Sequence, residues 1–115
     1  MIKAVIYRNT NDYIVGFEVS GHAEYAEIGK DIVCAAVSIL ATTTVNSLEE
    51  QLSIKPQYNV NEADGHLQCY FSSQLTGVDL EKAQVILKTM EIGFISIEQE
   101  YSKYFKLLQR RWTKC

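Results

Sequence analysis

The stretch from Gly21 to Ser38 constrains the fold of this chain more than any other. A strand-like run ends at Gly21-His22, a loop bounded by Gly21 and Gly29 follows, and Asp31 then opens an apolar run spaced as a helix. With Asp31 as N-cap, Cys34 falls in the first helical turn, where backbone N–H groups lack intrahelical partners and the helix dipole is positive. A thiol placed there is expected to ionise below its reference pKa of about 8.5.

Around this stretch the chain reads as strand, strand, helix, twice over. Ile2, Ala4 and Ile6 alternate with Lys3, Val5 and Tyr7. After a turn from Arg8 to Asp12, the run from Tyr13 to Val19 places Tyr13, Val15, Phe17 and Val19 on one face and Ile14, Gly16 and Glu18 on the other. The helix from Asp31 to about Leu52 carries a stripe of Val33, Ala36 or Val37, Leu40, Thr44, Leu48 and Leu52, and Pro56 closes the region. Two further strand-like runs, Gln57 to Asn61 and His66 to Ser72, flank the hairpin signal Asp64-Gly65. The second of them puts Leu67, Cys69 and Phe71 on one face, which makes Cys69 a core residue. Thr76 and Asp79 are spaced like a capping box. Beyond them Leu80, Ala83, Leu87, Met90, Phe94, Ile97, Tyr101, Tyr104 and Leu108 step by three and four without a break. A helix of about 30 residues is about 45 Å long, which predicts either a bend near Gly93 or an end that reaches a second copy of the chain. The expectation is a single α+β domain over residues 1–115, in two layers of order β-β-α-β-β-α, with a small sheet packed against two helices and the basic tail from Arg110 to Cys115 exposed.

Composition narrows the function classes. The 115 residues are 47% hydrophobic and 22% charged, as in an ordinary globular domain. A net charge of -3 argues against direct nucleic-acid binding through the overall field, though it leaves room for a local basic patch. Three cysteines, with no basic-then-apolar leader before them, point to free thiols in a reducing cytoplasm. No uninterrupted apolar stretch of about 18 residues suggests a membrane span.

Cys34 and His22 are the candidates for chemistry: a thiol near a helix start and an imidazole across a short loop supply the parts of a thiolate-imidazolium pair. A cysteine beside Ala35 and Ala36 is equally well explained as a small packing residue. Asp31 is most simply a cap, with orientation of His22 as a second role. Ser38, one turn after Cys34, shares its face and is a candidate donor to the sulfur or to a bound peptide. His66 and Cys69 alternate to opposite faces of their strand, so no metal-binding set emerges and no cofactor is expected.

The residues Gly21-His22-Ala23, Gly29 and Asp31-Ile32-Val33-Cys34-Ala35-Ala36-Val37-Ser38 closely resemble the bacterial ribosomal-processing cysteine protease family, Prp. The resemblance implies a cytoplasmic, homodimeric endopeptidase that removes a short N-terminal extension from the precursor of large-subunit ribosomal protein twenty-seven. It implies Cys34 as nucleophile and His22 as base, with Gly21 and Gly29 bracketing a loop that shapes the substrate groove. It also implies an apolar pocket for paired phenylalanines at the end of the removed segment. A non-catalytic ribosome-assembly factor that holds the same peptide, and a thiol redox sensor, are the alternatives from other classes.

Overall fold

The computed structural model describes residues 1–21, 28–61, 63 and 65–112, with the backbone alone for residues 28–31. Its elements are β1 (Ile2–Arg8), β2 (Ile14–Ser20), α1 (Ile28–Gln51), β3 (Gln57–Asn61), β4 (His66–Tyr70), α2 (Gly77–Glu100) and β5 (Phe105–Arg111). The strands form one sheet in the order β3-β4-β2-β1-β5, antiparallel except for the β1–β5 pair. Both helices pack on one face of it. Ala4, Ile6, Phe17, Cys69 and Phe105 from the sheet meet Val33, Val37, Val45 and Leu48 of α1 and Ala83, Leu87, Met90 and Phe94 of α2 in a single core. The α+β, two-layer architecture expected from the pattern is therefore present.

The fifth strand departs from that pattern. The helical spacing from Leu80 through Leu108 is broken at Glu100, where α2 ends, and Tyr101 to Tyr104 turn the chain into β5. Tyr101 leaves helical geometry at φ -131° while its N–H still donates to the Ile97 carbonyl at 2.8 Å. Phe105, Leu107 and Gln109 also alternate, so the segment satisfied two periods at once, and tertiary context chose the strand. The free edge of β1 takes β5 in register from Ile2–Phe105 to Arg8–Arg111, and this places Arg110 and Arg111 in the sheet rather than in a tail. At 24 residues α2 is about 36 Å long and runs unbroken through Gly93. A Cβ at Gly93 would lie 2.6 Å from the Leu40 side chain, so this glycine serves the close approach of α1 and α2 rather than a bend.

Two local expectations are also corrected. Register shifts between Tyr7 and Arg8, which pair with Gly16 and Ile14, so Val15 is an extra residue in β2. The bulge turns Ile14 to the core, fully buried like Phe17, while Tyr13 remains 39% exposed. The Thr76 side chain makes no cap bond. The Asp79 carboxylate instead accepts from the Ser53 N–H and hydroxyl, which holds its pKa below the ordinary value and ties the start of α2 to the end of α1. Finally, Ile32–Gln51 is by length and composition apolar enough to cross a membrane, with mean hydropathy 1.5. Its Val33, Val37, Ala41, Val45 and Leu48 are at most 2% exposed against the sheet and α2, so that apolar content builds the core.

The bulged start of β2 is fastened by Gln84 of α2. Its amide nitrogen donates to the Ile14 carbonyl and its amide oxygen accepts from the Ile14 N–H, both at 2.9 Å in a buried setting. Replacement by Leu preserves bulk and orphans both backbone groups. We expect Gln84→Leu to lose about 2 to 4 kcal/mol of stability, read as a lower urea midpoint with an unchanged slope.

Candidate active site

Cys34 and Ser38 flank the buried stripe of α1. The stripe at Val33, Val37 and Ala41 faces the sheet, and its neighbours around the helix, half-buried Cys34 and exposed Ser38, emerge at the helix margin. There they line a cleft of about 400 Å³. Its opposite wall is Tyr58, Val60 and Leu67 of the β3–β4 hairpin, its rim is Gly65 and His66, and Ile2, Val19 and Gly21 close the end. Tyr58 and Val60 remain 40% and 49% exposed, so the wall offers apolar surface to an incoming ligand.

Gly21 is fixed by geometry. Its φ is +97°, and a Cβ would lie 2.6 Å from the Met1 carbonyl oxygen. The chain thus leaves β2 through a conformation that L side chains avoid, packed on the residues that begin β1. His22 and the loop through Glu27 lie outside the described residues, as does Cys115. Gly21, Cys34 and Ser38 are brought together in one cleft. Gly29 and Asp31 are not loop and cap as expected: α1 begins at Ile28, so both are helical, and Cys34 is the seventh residue of the helix. The unpaired N–H groups belong to the first four residues, and the helix dipole acts over the same first turn. The helix start therefore does not supply the main electrostatic support for the Cys34 sulfur.

His66 belongs to a different set. It alternates with Leu67 to the helix-free face of the sheet, where its Nε2 engages Glu18, and the other Glu18 oxygen accepts from the Tyr7 hydroxyl at 2.8 Å. Partial burial alone would raise the Glu18 pKa, but the bonds from His66 and Tyr7 outweigh it and hold the carboxyl below its ordinary value. Burial, and then the Glu18 carboxylate, raise that of Tyr7. Among the described residues, no group of three or more His, Cys, Asp or Glu side chains could hold a metal ion. Cys69, 1% exposed, is pushed up to about 12 by burial and by the nearby Glu49 charge. It is the core thiol that strand alternation predicts. The hairpin wall was the part of the cleft that sequence reasoning missed. Alternation placed Leu67 on the core side, but only the β3–β4 register shows that Val60 stands opposite it and Tyr58 opposite Cys69.

Comparison with known proteins resolves the family. The model of the family described as cysteine protease Prp matches residues 1–106. The chain belongs to the Prp family of cysteine proteases. The ribosomal processing cysteine protease Prp of Bacillus subtilis is 33% identical over 101 residues, covering 88% of this chain and 90% of that protein. A crystal structure of an essential ribosomal processing protease Prp from Staphylococcus aureus in complex with a substrate peptide superposes with a TM-score of 0.83. It is 29% identical and covers 95% of this chain and 99% of that one. A second structure of the Staphylococcus aureus enzyme, with a covalently linked product peptide, gives 0.78 at 32% identity and the same coverage.

In a Prp enzyme the thiol that lines the cleft should react before the one in the core. Iodoacetamide applied to the folded Cys115→Ser protein is expected to label Cys34 and to reach Cys69 only after denaturation, as read by peptide mass spectrometry. Equal labelling of both cysteines in the folded state would contradict the burial described above.

Proposed function

We propose that this Prp-family protease removes the N-terminal extension from the precursor of large-subunit ribosomal protein twenty-seven, with Cys34 as nucleophile and His22 as its proton partner. The observation that carries the reading is a cysteine at the edge of a cleft with apolar walls, in a chain matched by the Prp model over residues 1–106. The ribosomal processing named for the Bacillus subtilis relative supports the substrate class. The covalently linked product in the Staphylococcus aureus structure supports an acyl-enzyme route.

The Cys34 thiolate attacks the scissile carbonyl to form a tetrahedral oxyanion. Collapse of that intermediate expels the amine, which takes a proton from the His22 imidazolium and leaves a thioester on Cys34. Water, deprotonated by neutral His22, then attacks the thioester and releases the removed segment as a carboxylate. Because Cys34 lies beyond the first turn of α1, His22 carries the burden of stabilising its ionised form. His66 is a poor rival for this role, since its ring is engaged with Glu18 on the opposite face of the sheet. Gly21 and Gly29 bracket the segment that delivers His22. Asp31, released from the capping role, orients that imidazole, and Ser38 donates to the bound peptide. Val19, Val60, Leu67 and Tyr58 form the pocket for the paired phenylalanines.

The enzyme works in the cytoplasm as one domain over residues 1–115, without a cofactor, and as a homodimer. The helical overhang that first suggested a dimer is absent, since α2 ends at Glu100. Support comes instead from the outer surface of the helices, where Val78, Val85 and Ile92 recur every seven residues at 63–68% exposure and Ile39 is 69% exposed. Ile39→Lys with Ile92→Lys is expected to convert a dimer into a monomer at micromolar concentration in analytical ultracentrifugation. A monomeric parent protein would refute the dimer.

Incubated with the purified precursor, the protein is expected to yield a product shortened at its N-terminus. Cys34→Ala should lower the rate at least about 1,000-fold and His22→Ala about 100-fold or more. Full turnover by Cys34→Ala overturns the assignment, and binding of the precursor without cleavage by the parent protein identifies a peptide-holding assembly factor.

A further inference from the structure

The face of the sheet that no helix covers has a composition unlike the rest of the molecule. Most carboxylates lie on α1, α2 and the connecting loops, whereas the five strands carry Lys3, Arg8, Lys106, Arg110 and Arg111 against Glu18 alone. Of these cations, Arg8 is paired with Glu91 of α2 at 2.8 Å on the helix side. Lys3, Lys106 and Arg110 are exposed on the uncovered face, with no ion pair among the described residues. Cross-strand register sets Lys3 beside Lys106 and Arg110 beside Tyr7. Among the described residues Glu18 is the one carboxylate on this face; it is engaged by Tyr7 and His66 and attracts Arg110, and a single negative charge cannot offset three cations.

Aromatic rings share the same surface. Tyr7 and Tyr70 stand on either side of Gly16 in one cross-strand row, and Trp112 lies against both, with ring centroids 5.2 and 5.6 Å away. A Cβ at Gly16 would approach the Tyr70 Cβ to 2.9 Å, so the glycine is what lets the two tyrosines flank the indole. The row continues from Tyr70 to exposed Gln57, and the next row carries Asn59 and Gln68, amides able to both donate and accept.

We infer that this open sheet face binds single-stranded RNA. Cations in excess of the nearby carboxylate meet the phosphates, the half-buried indole and tyrosines offer stacking surface to bases, and neighbouring amides match base edges. An acidic peptide would use the cations and leave the rings and amides without a role. The whole-chain charge of -3 conceals the surface because the acids that produce it are mostly elsewhere. The proposal is independent of the cleavage reaction, whose cleft lies on the helix side of the sheet.

Trp112 is the single tryptophan and reports directly on the site. Titration with an oligouridylate of about 12 nucleotides at about 50 mM salt is expected to quench its fluorescence saturably. The logarithm of affinity should fall with that of salt with a slope near about -2, as about three phosphate contacts to a single strand require. The variant Lys3→Gln/Lys106→Gln/Arg110→Gln is expected to bind at least tenfold more weakly while cleaving the precursor at the parent rate, which also certifies its folding. Absence of quenching by RNA, or affinity independent of salt, overturns the proposal whether or not the variant folds. Equal quenching by polyglutamate overturns it in favour of an acidic protein partner, and undiminished binding by the folded triple variant removes the site from this face.

Discussion

Burial of one stripe of α1 against the sheet fixes the orientation of everything the cleft contains. Val33, Val37, Ala41, Val45 and Leu48 are almost fully withdrawn from water. Turning the helix by one residue, about 100°, would expose them, and each valine or leucine contributes about 1.5 to 3 kcal/mol by being buried. Against that sum, no contact made by one thiol can set the helix rotation. Cys34 therefore emerges at the margin because the core holds its neighbours, and Ser38 follows it one turn later. The chemistry borrows its precision from packing.

The wall facing Cys34 is positioned by a different mechanism. Leu67 and Val60 are carried by a strand pair whose register is set through β2, and β2 is in turn anchored at its bulged start by Gln84. The far end of β2 is constrained at Gly21, where the absence of a side chain lets the strand exit pack on Met1. One ordered sheet thus ties together the margin of the cleft, the exit from β2 at Gly21 and the residues that begin β1. Arg8 joins the same frame to α2 through both carboxylate oxygens of Glu91, at 2.8 Å each.

Much of this organisation is legible in the residues themselves, and the exceptions have physical causes. The stripe of α1, the Asp64-Gly65 hairpin and the core position of Cys69 follow from periodicity and turn chemistry. Ile14 was misplaced because an extra residue in β2 reverses the alternation, and a bulge leaves no fixed sequence signature. The run from Tyr101 to Leu108 fits a helix and a strand equally well, and the vacancy beside β1 decides between them. Asp31 has the composition of a cap, yet α1 begins three residues earlier, so Cys34 lies beyond the first turn and its unpaired N–H groups. The motif from Gly21 to Ser38 identified the family despite that error, since it depends on residue order rather than helix phase. The cleft wall at Tyr58 and Val60 could not be read because it requires knowing which edge of the sheet faces α1.

The parallel pairing of β1 with β5 has a consequence for how the molecule comes into being. Ile2 lines the cleft, and its N–H is held by the Tyr104 carbonyl at 2.9 Å, just before β5 begins. β1 must therefore wait for β5 before its outer edge is satisfied and Phe105 can enter the core. Until residues 105–111 have been synthesised, the nascent chain has its sulfur but lacks a settled groove around it. Formation of the groove beside Cys34 is thus coupled to the docking of β5 on β1.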